Sequence, residues 1–149
     1  MRVSRKLLLL FLLLLVSATL LAQAAPNPAS VAAYKNALAN LRMARSYMNQ
    51  LGPNDHIDNQ EQHAVAEMDY AMREIEASGV KDDKSINDNP AIAHDLVKSD
   101  RYVKALSLTQ TAYTYIEKSP SGDAVRDSHI KDHIKAAVET IKVIQKEKH

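Results

Sequence analysis

Much of this chain is written twice. Tyr34, Ala37, Leu38, Ala44 and Tyr47 recur 68 positions later as Tyr102, Ala105, Leu106, Ala112 and Tyr115. His63, Ala71 and Ile75 recur 66 positions later as His129, Ala137 and Ile141, the offset falling by two because the loop inside the second copy is shorter. Self-similarity at a fixed period sets the architecture before any local pattern does. What repeats here is a pair of apolar stripes with spacings of three and four, the signature of amphipathic helices. In the first copy the stripes are Tyr34, Ala37, Leu38, Leu41, Ala44 and Met48, then Ala64, Met68, Ala71, Met72 and Ile75. In the second they are Tyr102, Ala105, Leu106, Thr109, Ala112, Tyr113 and Ile116, then Ile130, Ile134, Ala137, Val138, Ile141 and Ile144. No segment alternates with period two, so no strands are expected.

One helical hairpin alone would expose both of its stripes, and stacking two hairpins buries all four. The predicted fold is therefore all-α, an up-down antiparallel four-helix bundle made of two duplicated hairpins at residues 30–79 and 99–149. Punctuation agrees with this division. Ser30 can cap the first helix, Gly52-Pro53-Asn54-Asp55 ends it, the second starts near Asn59 and closes at Gly79, and Ser99 can cap the third. Residues 80–98 form a connector with no copy. It is read as wrapping one end of the bundle on Ile86 and Ile92, with a short helix over 90–97.

Residues 1–24 read as a signal peptide. Arg2, Arg5 and Lys6 precede an unbroken apolar run over residues 7–16, and Ala22-Gln23-Ala24 supplies the small residues of a cleavage site. The run is short for a membrane span, which takes about 20 residues, so no stable span is expected after cleavage. That leaves residues 25–149 as one domain and points to a periplasmic or secreted location. Three of the 19 Lys and Arg and none of the 18 Asp and Glu lie in the signal, so the formal charge of +1 becomes −2 in the mature chain. The clustered basic footprint of a nucleic-acid binder is missing, and none is expected as a partner. There is no cysteine, so the exported domain must be held together by packing. Charge also differs between copies: −3 over residues 25–79 and +2 over residues 99–149. This reads as two solvated faces that attract one another.

The order of a helical hairpin, then Lys81-Asp82-Asp83-Lys84-Ser85-Ile86-Asn87-Asp88-Asn89-Pro90, then Asp100-Arg101-Tyr102-Val103-Lys104-Ala105-Leu106, then a hairpin with His133-Ile134 and Ala137 in a His-Ile-x-x-Ala pattern, resembles a group of small exported bacterial all-α proteins. No established biochemical activity attaches to that group. Two departures stand out: Lys84 follows Asp83 with no intervening glycine, and Asn89 occupies the place where histidine is usual before the proline. The chain resembles more weakly the small periplasmic metal-binding four-helix proteins.

For chemistry, His129 and His133 lie four apart on one helix and present both imidazoles on one face. Their counterparts in the first copy are His63 and Glu67. If the pairs face each other across the bundle, His129, His133, His63 and Glu67 form a candidate site for a divalent metal. Against it, bundles with two metal ions also draw a carboxylate from each remaining helix. The stripes there offer Arg45, Thr109 and Tyr113 instead. Met43, Met48, Met68 and Met72 correspond to Thr111, Ile116, Ile134 and Val138, which makes them core filler rather than copper ligands. Asp82, Asp83, Asp88 and Asp95 of the connector are expected to be solvated or to cap turns. An EF-hand beginning at Asp83 lacks its glycine and its final glutamate. No nucleophile, acid–base pair or phosphate-binding loop is legible, so the chain is not expected to be an enzyme or to carry a resident cofactor. Its expected function is that of a binding or interaction module of the bacterial envelope, engaging an envelope or extracellular protein. The alternative is a metal-binding or metal-buffering bundle. A specific chemistry is expected where the copies differ.

Overall fold

The structure is a computed structural model that describes residues 27–50, 56–92 and 96–147. The signal peptide, the Gly52–Asp55 turn and His94-Asp95 fall outside those residues. Four helices form and pack on one another, α1 (Pro28–Asn49), α2 (Asn59–Ala77), α3 (Lys98–Lys118) and α4 (Ala124–Glu147), with no strand among the described residues. The predicted stripes are the core. Tyr34, Leu38, Leu41, Met68, Met72, Ile75, Ile116, Ile130, Ile134, Ile141 and Ile144 are all fully buried, while Leu106 and Tyr113 sit at its margin. Met48, Met68 and Met72 are core side chains as the repeat implied, whereas Met43, the counterpart of exposed Thr111, is only half-buried and stays outside the core. At the helix starts the details shift by a few residues. Asn27, with Pro28 at the first helical position, caps α1 through its Oδ1 and the Ala29 amide. Asp58 and Glu61 form a reciprocal capping box at α2. Gly79 and Gly122 take the positive φ that ends α2 and turns the chain into α4.

The direction of each helix follows from which ends meet. Tyr34, early in α1, donates to Asp127, early in α4. Tyr102, early in α3, donates to Glu61, early in α2. Gln60 at the start of α2 reaches Glu147 at the end of α4. Thus α1 and α4 run one way and α2 and α3 the other. Each hairpin is antiparallel, but α3 begins at the end of the bundle where α2 also begins. The alternation predicted from the sequence holds within each hairpin and reverses between them. The connector therefore crosses the length of the bundle rather than wrapping one end, the single-long-crossover variant of this architecture. The distance is about 28 Å, from the 19 residues of α2 at roughly 1.5 Å each, well within the reach of an extended chain over residues 78–97. No helix forms at residues 90–92 or 96–97; α3 starts at Lys98, behind Val97.

The two tyrosine contacts are copies of each other. Tyr34 corresponds to Tyr102 and Asp127 to Glu61, so the same pair is made twice, each linking the first helix of one hairpin to the first turn of the second helix of the other. α1 packs mainly on α3 and α2 on α4, so both pairs span the bundle's diagonals. Each carboxylate is fixed locally: Glu61 accepts from the Asp58 amide at 2.8 Å, and Asp127 accepts from the Ser121 amide at 3.0 Å and the Ser121 hydroxyl at 2.7 Å. Lys98 lies 3.0 Å from Glu61. A helix N-terminus favours a carboxylate there, and a buried hydroxyl left without an acceptor would be penalised.

Burial, followed by the hydrogen bond to Asp127, pushes the Tyr34 hydroxyl up to about 12. Its unfolded value is about 10, so this contribution is complete below pH ~10 and is lost as pH rises towards the folded value. Tyr34→Phe is expected to lower stability at neutral pH by about 1–3 kcal/mol and to flatten the alkaline fall. Urea melts between neutrality and high pH measure both effects, and an unchanged alkaline arm would remove Tyr34 as its source.

Candidate functional site

The residues predicted to bind metal are brought together in part. Glu67 on α2 contacts His133 on α4, with Nδ1 2.7 Å from Oε2, and its Oε1 lies 3.9 Å from His63 Nε2 one turn earlier. Tyr70 stacks on the His133 ring at 5.3 Å between centroids, and the Arg73 guanidinium lies 5.7 Å from the Tyr70 centroid. Side-chain exposures are 35% for His133 and 58% for His63, so the cluster is a half-wet seam between α2 and α4. His129 is exposed and does not join it. Among the described residues no group of three or more His, Asp or Glu is gathered closely enough to hold a metal ion. Glu67 in its present setting is the hydrogen-bonding partner of an imidazole.

The connector is built in more firmly than its composition suggested. Arg42 on α1 is only 1% exposed, and its guanidinium grips the Asp82 carboxylate through two bonds of 2.5 and 2.8 Å. It also donates to the Lys84 carbonyl at 3.1 Å. One turn on, Arg45, 5% exposed, bonds Asp69 of α2 at 2.7 Å and the Asp88 carbonyl at 2.8 Å. Val80 enters the core, while Ile86 and Ile92 are half-buried. Asp82 is thus paired rather than solvated, and its Oδ1 also accepts from the Lys84 amide at 3.2 Å, the turn role its composition suggested. The Arg42 hydrogen bonds hold its carboxyl below the usual carboxylate range. Asp88 keeps the expected turn role, accepting from the Ser85 amide at 3.1 Å. No hydrogen bond or ion pair among the described residues joins the connector to the Glu67–His133 seam.

Among the described residues, the second hairpin presents the same groove without a covering segment. Its counterparts of Arg42, Arg45 and Ser46 are Gln110, Tyr113 and Thr114, and those of Asp69 and Met72 are Lys135 and Val138. These five residues line an open cavity of about 350 Å³ between α3 and α4. A smaller one of about 290 Å³ adjoins it through Thr114, with Thr111, Tyr115 and Lys118. Gln110 and Lys135 are exposed, whereas Arg42 and Arg45 are buried. Sequence reasoning named Tyr113 only as a stripe residue. The signal that marks the groove is which residue types replace the two arginines in the second copy.

Among the described residues, fold and site together define a four-helix, single-crossover bundle with one groove filled by its own connector and the related groove open. Among the described residues no helix is long and apolar enough to cross a membrane. Comparison with protein families, curated proteins and solved structures finds no match.

Breaking the connector clamp tests the arrangement. Asp82→Ala leaves the Arg42 charge buried without its partner, and a loss of about 3–5 kcal/mol is expected in urea melts. Adding Arg42→Met is expected to restore part of it. The folded carboxyl is held low, so its contribution is present above its unfolded value of about 3.9 and fades as pH falls through the lower folded value. Asp82→Ala is therefore expected to reduce the slope of the acid arm.

Proposed function

We propose that this chain is an exported, non-catalytic binding module of the bacterial envelope, and that its working surface is the groove between α3 and α4. The observation that carries this reading is the contrast between the two grooves. In the first, two buried arginines are bonded by residues 80–92, with Asp69 of α2 also bonding Arg45; in the second, neutral donors and lysine line an open trough. The buried tyrosines and carboxylates are engaged in pairs that hold the helices. Export rests on residues 1–24, and the resemblance to small exported bacterial helical proteins agrees with it.

Site-specific photo-crosslinking tests the surface. A photoreactive phenylalanine derivative in place of Gln110 is expected to give a discrete adduct in cells, whereas the same group in place of Asn36 on exposed α1 is not. Equal labelling at both positions, or none at 110, would overturn the proposal.

A second reading, metal buffering, draws on the contact of Glu67 with His133 and on His63 3.9 Å from the same carboxylate; the three side chains would have to draw closer to hold an ion. Calorimetric titration with Zn(II) addresses it. Binding that is lost in His133→Ala but retained in His129→Ala would support a Glu67–His133–His63 site. Unchanged weak heats in a His63→Ala/His133→Ala double variant would end it.

A further inference from the structure

We infer that the α3–α4 groove takes an acidic polypeptide segment of another protein, held in part through its main chain as residues 80–92 are held in the α1–α2 groove. This inference rests on the reading of that groove as the working surface and names the chemistry of its occupant.

The repeat supplies the precedent. One groove of this bundle holds a non-helical segment of chain that turns at residues 86–87, and half of the arginine hydrogen bonds that hold it go to main-chain carbonyls. Arg42 and Arg45 take the carbonyls of Lys84 and Asp88, and a single carboxylate, Asp82, provides the charged anchor. In the related groove the same positions again carry hydrogen-bonding groups, the Gln110 amide and the Tyr113 hydroxyl. Thr114 already donates its hydroxyl proton to the Gln110 carbonyl at 3.0 Å, which leaves its oxygen lone pairs to accept a main-chain N–H. A polypeptide backbone offers both carbonyls and amides at this spacing.

Charge decides which polypeptide. In the first groove Asp69 lies 2.7 Å from Arg45, so the groove wall supplies part of its own compensation. In the second, Lys135 stands in place of Asp69 and Lys118 lies at the adjoining cavity; among the described residues no carboxylate lines either one, the charge partner of Lys135 being Glu139 one turn further along α4. The trough is therefore basic with tyrosine walls, and its electrostatic complement is an acidic segment. A second copy of this chain is disfavoured as occupant, because its acidic connector is already clamped by Arg42 and Arg45.

The test uses the full purified chain with two fluorescein-labelled peptides. One copies residues 80–92, and the other carries Lys81→Glu and Lys84→Glu in that sequence. Fluorescence anisotropy is expected to show saturable binding, at least tenfold tighter for the more acidic peptide and weaker as salt rises. Tyr113→Ala/Lys135→Glu is expected to weaken binding at least tenfold, whereas Lys104→Glu, elsewhere on α3, leaves it unchanged. Circular dichroism confirms that each variant folds. Three results would overturn the inference: no saturable binding of either peptide; equal binding by the groove variant; or groove-dependent binding confined to anionic phosphatidylglycerol vesicles. Concentration-dependent dimerisation abolished by the same variant would also overturn it, by assigning the groove to a second copy. A crosslink at position 110 without peptide binding would leave the groove as a working surface while rejecting the acidic segment. Failure of both experiments would reject both.

Discussion

The arrangement depends on one buried charge. Arg42 is almost wholly removed from solvent, and an unpaired guanidinium there would be severely penalised. It is tolerated because Asp82 arrives from the connector with two-point geometry and because Lys84 contributes a carbonyl. The pair fixes more than a loop. It lays the chain along α1 as it leaves α2, so that α3 can begin at the end of the bundle where α2 began. The parallel course of α2 and α3 and the crossing of both diagonals by tyrosine–carboxylate pairs are consequences of that route.

Those diagonal pairs add a specification that apolar stripes cannot supply. A stripe of Ala, Ile, Leu and Met can slide by a turn or rotate with modest loss, because volume is conserved. A buried hydroxyl must find its acceptor at one depth and one rotation. Because Tyr34 reaches Asp127 and Tyr102 reaches Glu61, each hairpin positions the other, and neither can shift along the bundle alone. With no cysteine in the chain, this register is held by packing and hydrogen bonds alone.

The four stripes were legible because helical burial imposes a 3.6-residue period, and each predicted stripe is the core or its margin. Direction was not legible, since it depends on where residues 80–97 travel, and their polar composition reads equally well as a solvated loop. Arg42 was passed over for the same reason: it follows Leu41 at the edge of the stripe, and only the connector buries it. Tyr34 and Tyr102 were read as apolar members of the stripes. Their acceptors were findable, because Glu61 and Asp127 are related by the 66-residue offset and each lies two positions before a repeated histidine. At the candidate site, the correspondence of Glu67 with His133 anticipated real neighbours. The spacing of His129 and His133 did not, because one imidazole turns to the seam while the other stays exposed.

The difference between the grooves is also a difference in what each state demands. The connector is covalently attached, so its effective concentration at the α1–α2 groove is high and the groove is filled whenever the protein is folded. Arginine is suited to such a site, since it forms strong two-point contacts and need not remain folded with its charge unmatched. A groove that fills and empties faces the opposite demand. Its polar groups must be satisfied by water when nothing is bound, and Gln110, Tyr113, Thr114 and Lys135 meet that condition because each is exposed or half-exposed. Neutral donors also give weaker bonds than guanidinium does. The substitutions that distinguish the second copy thus replace a permanent clamp with a surface whose polar groups water can satisfy.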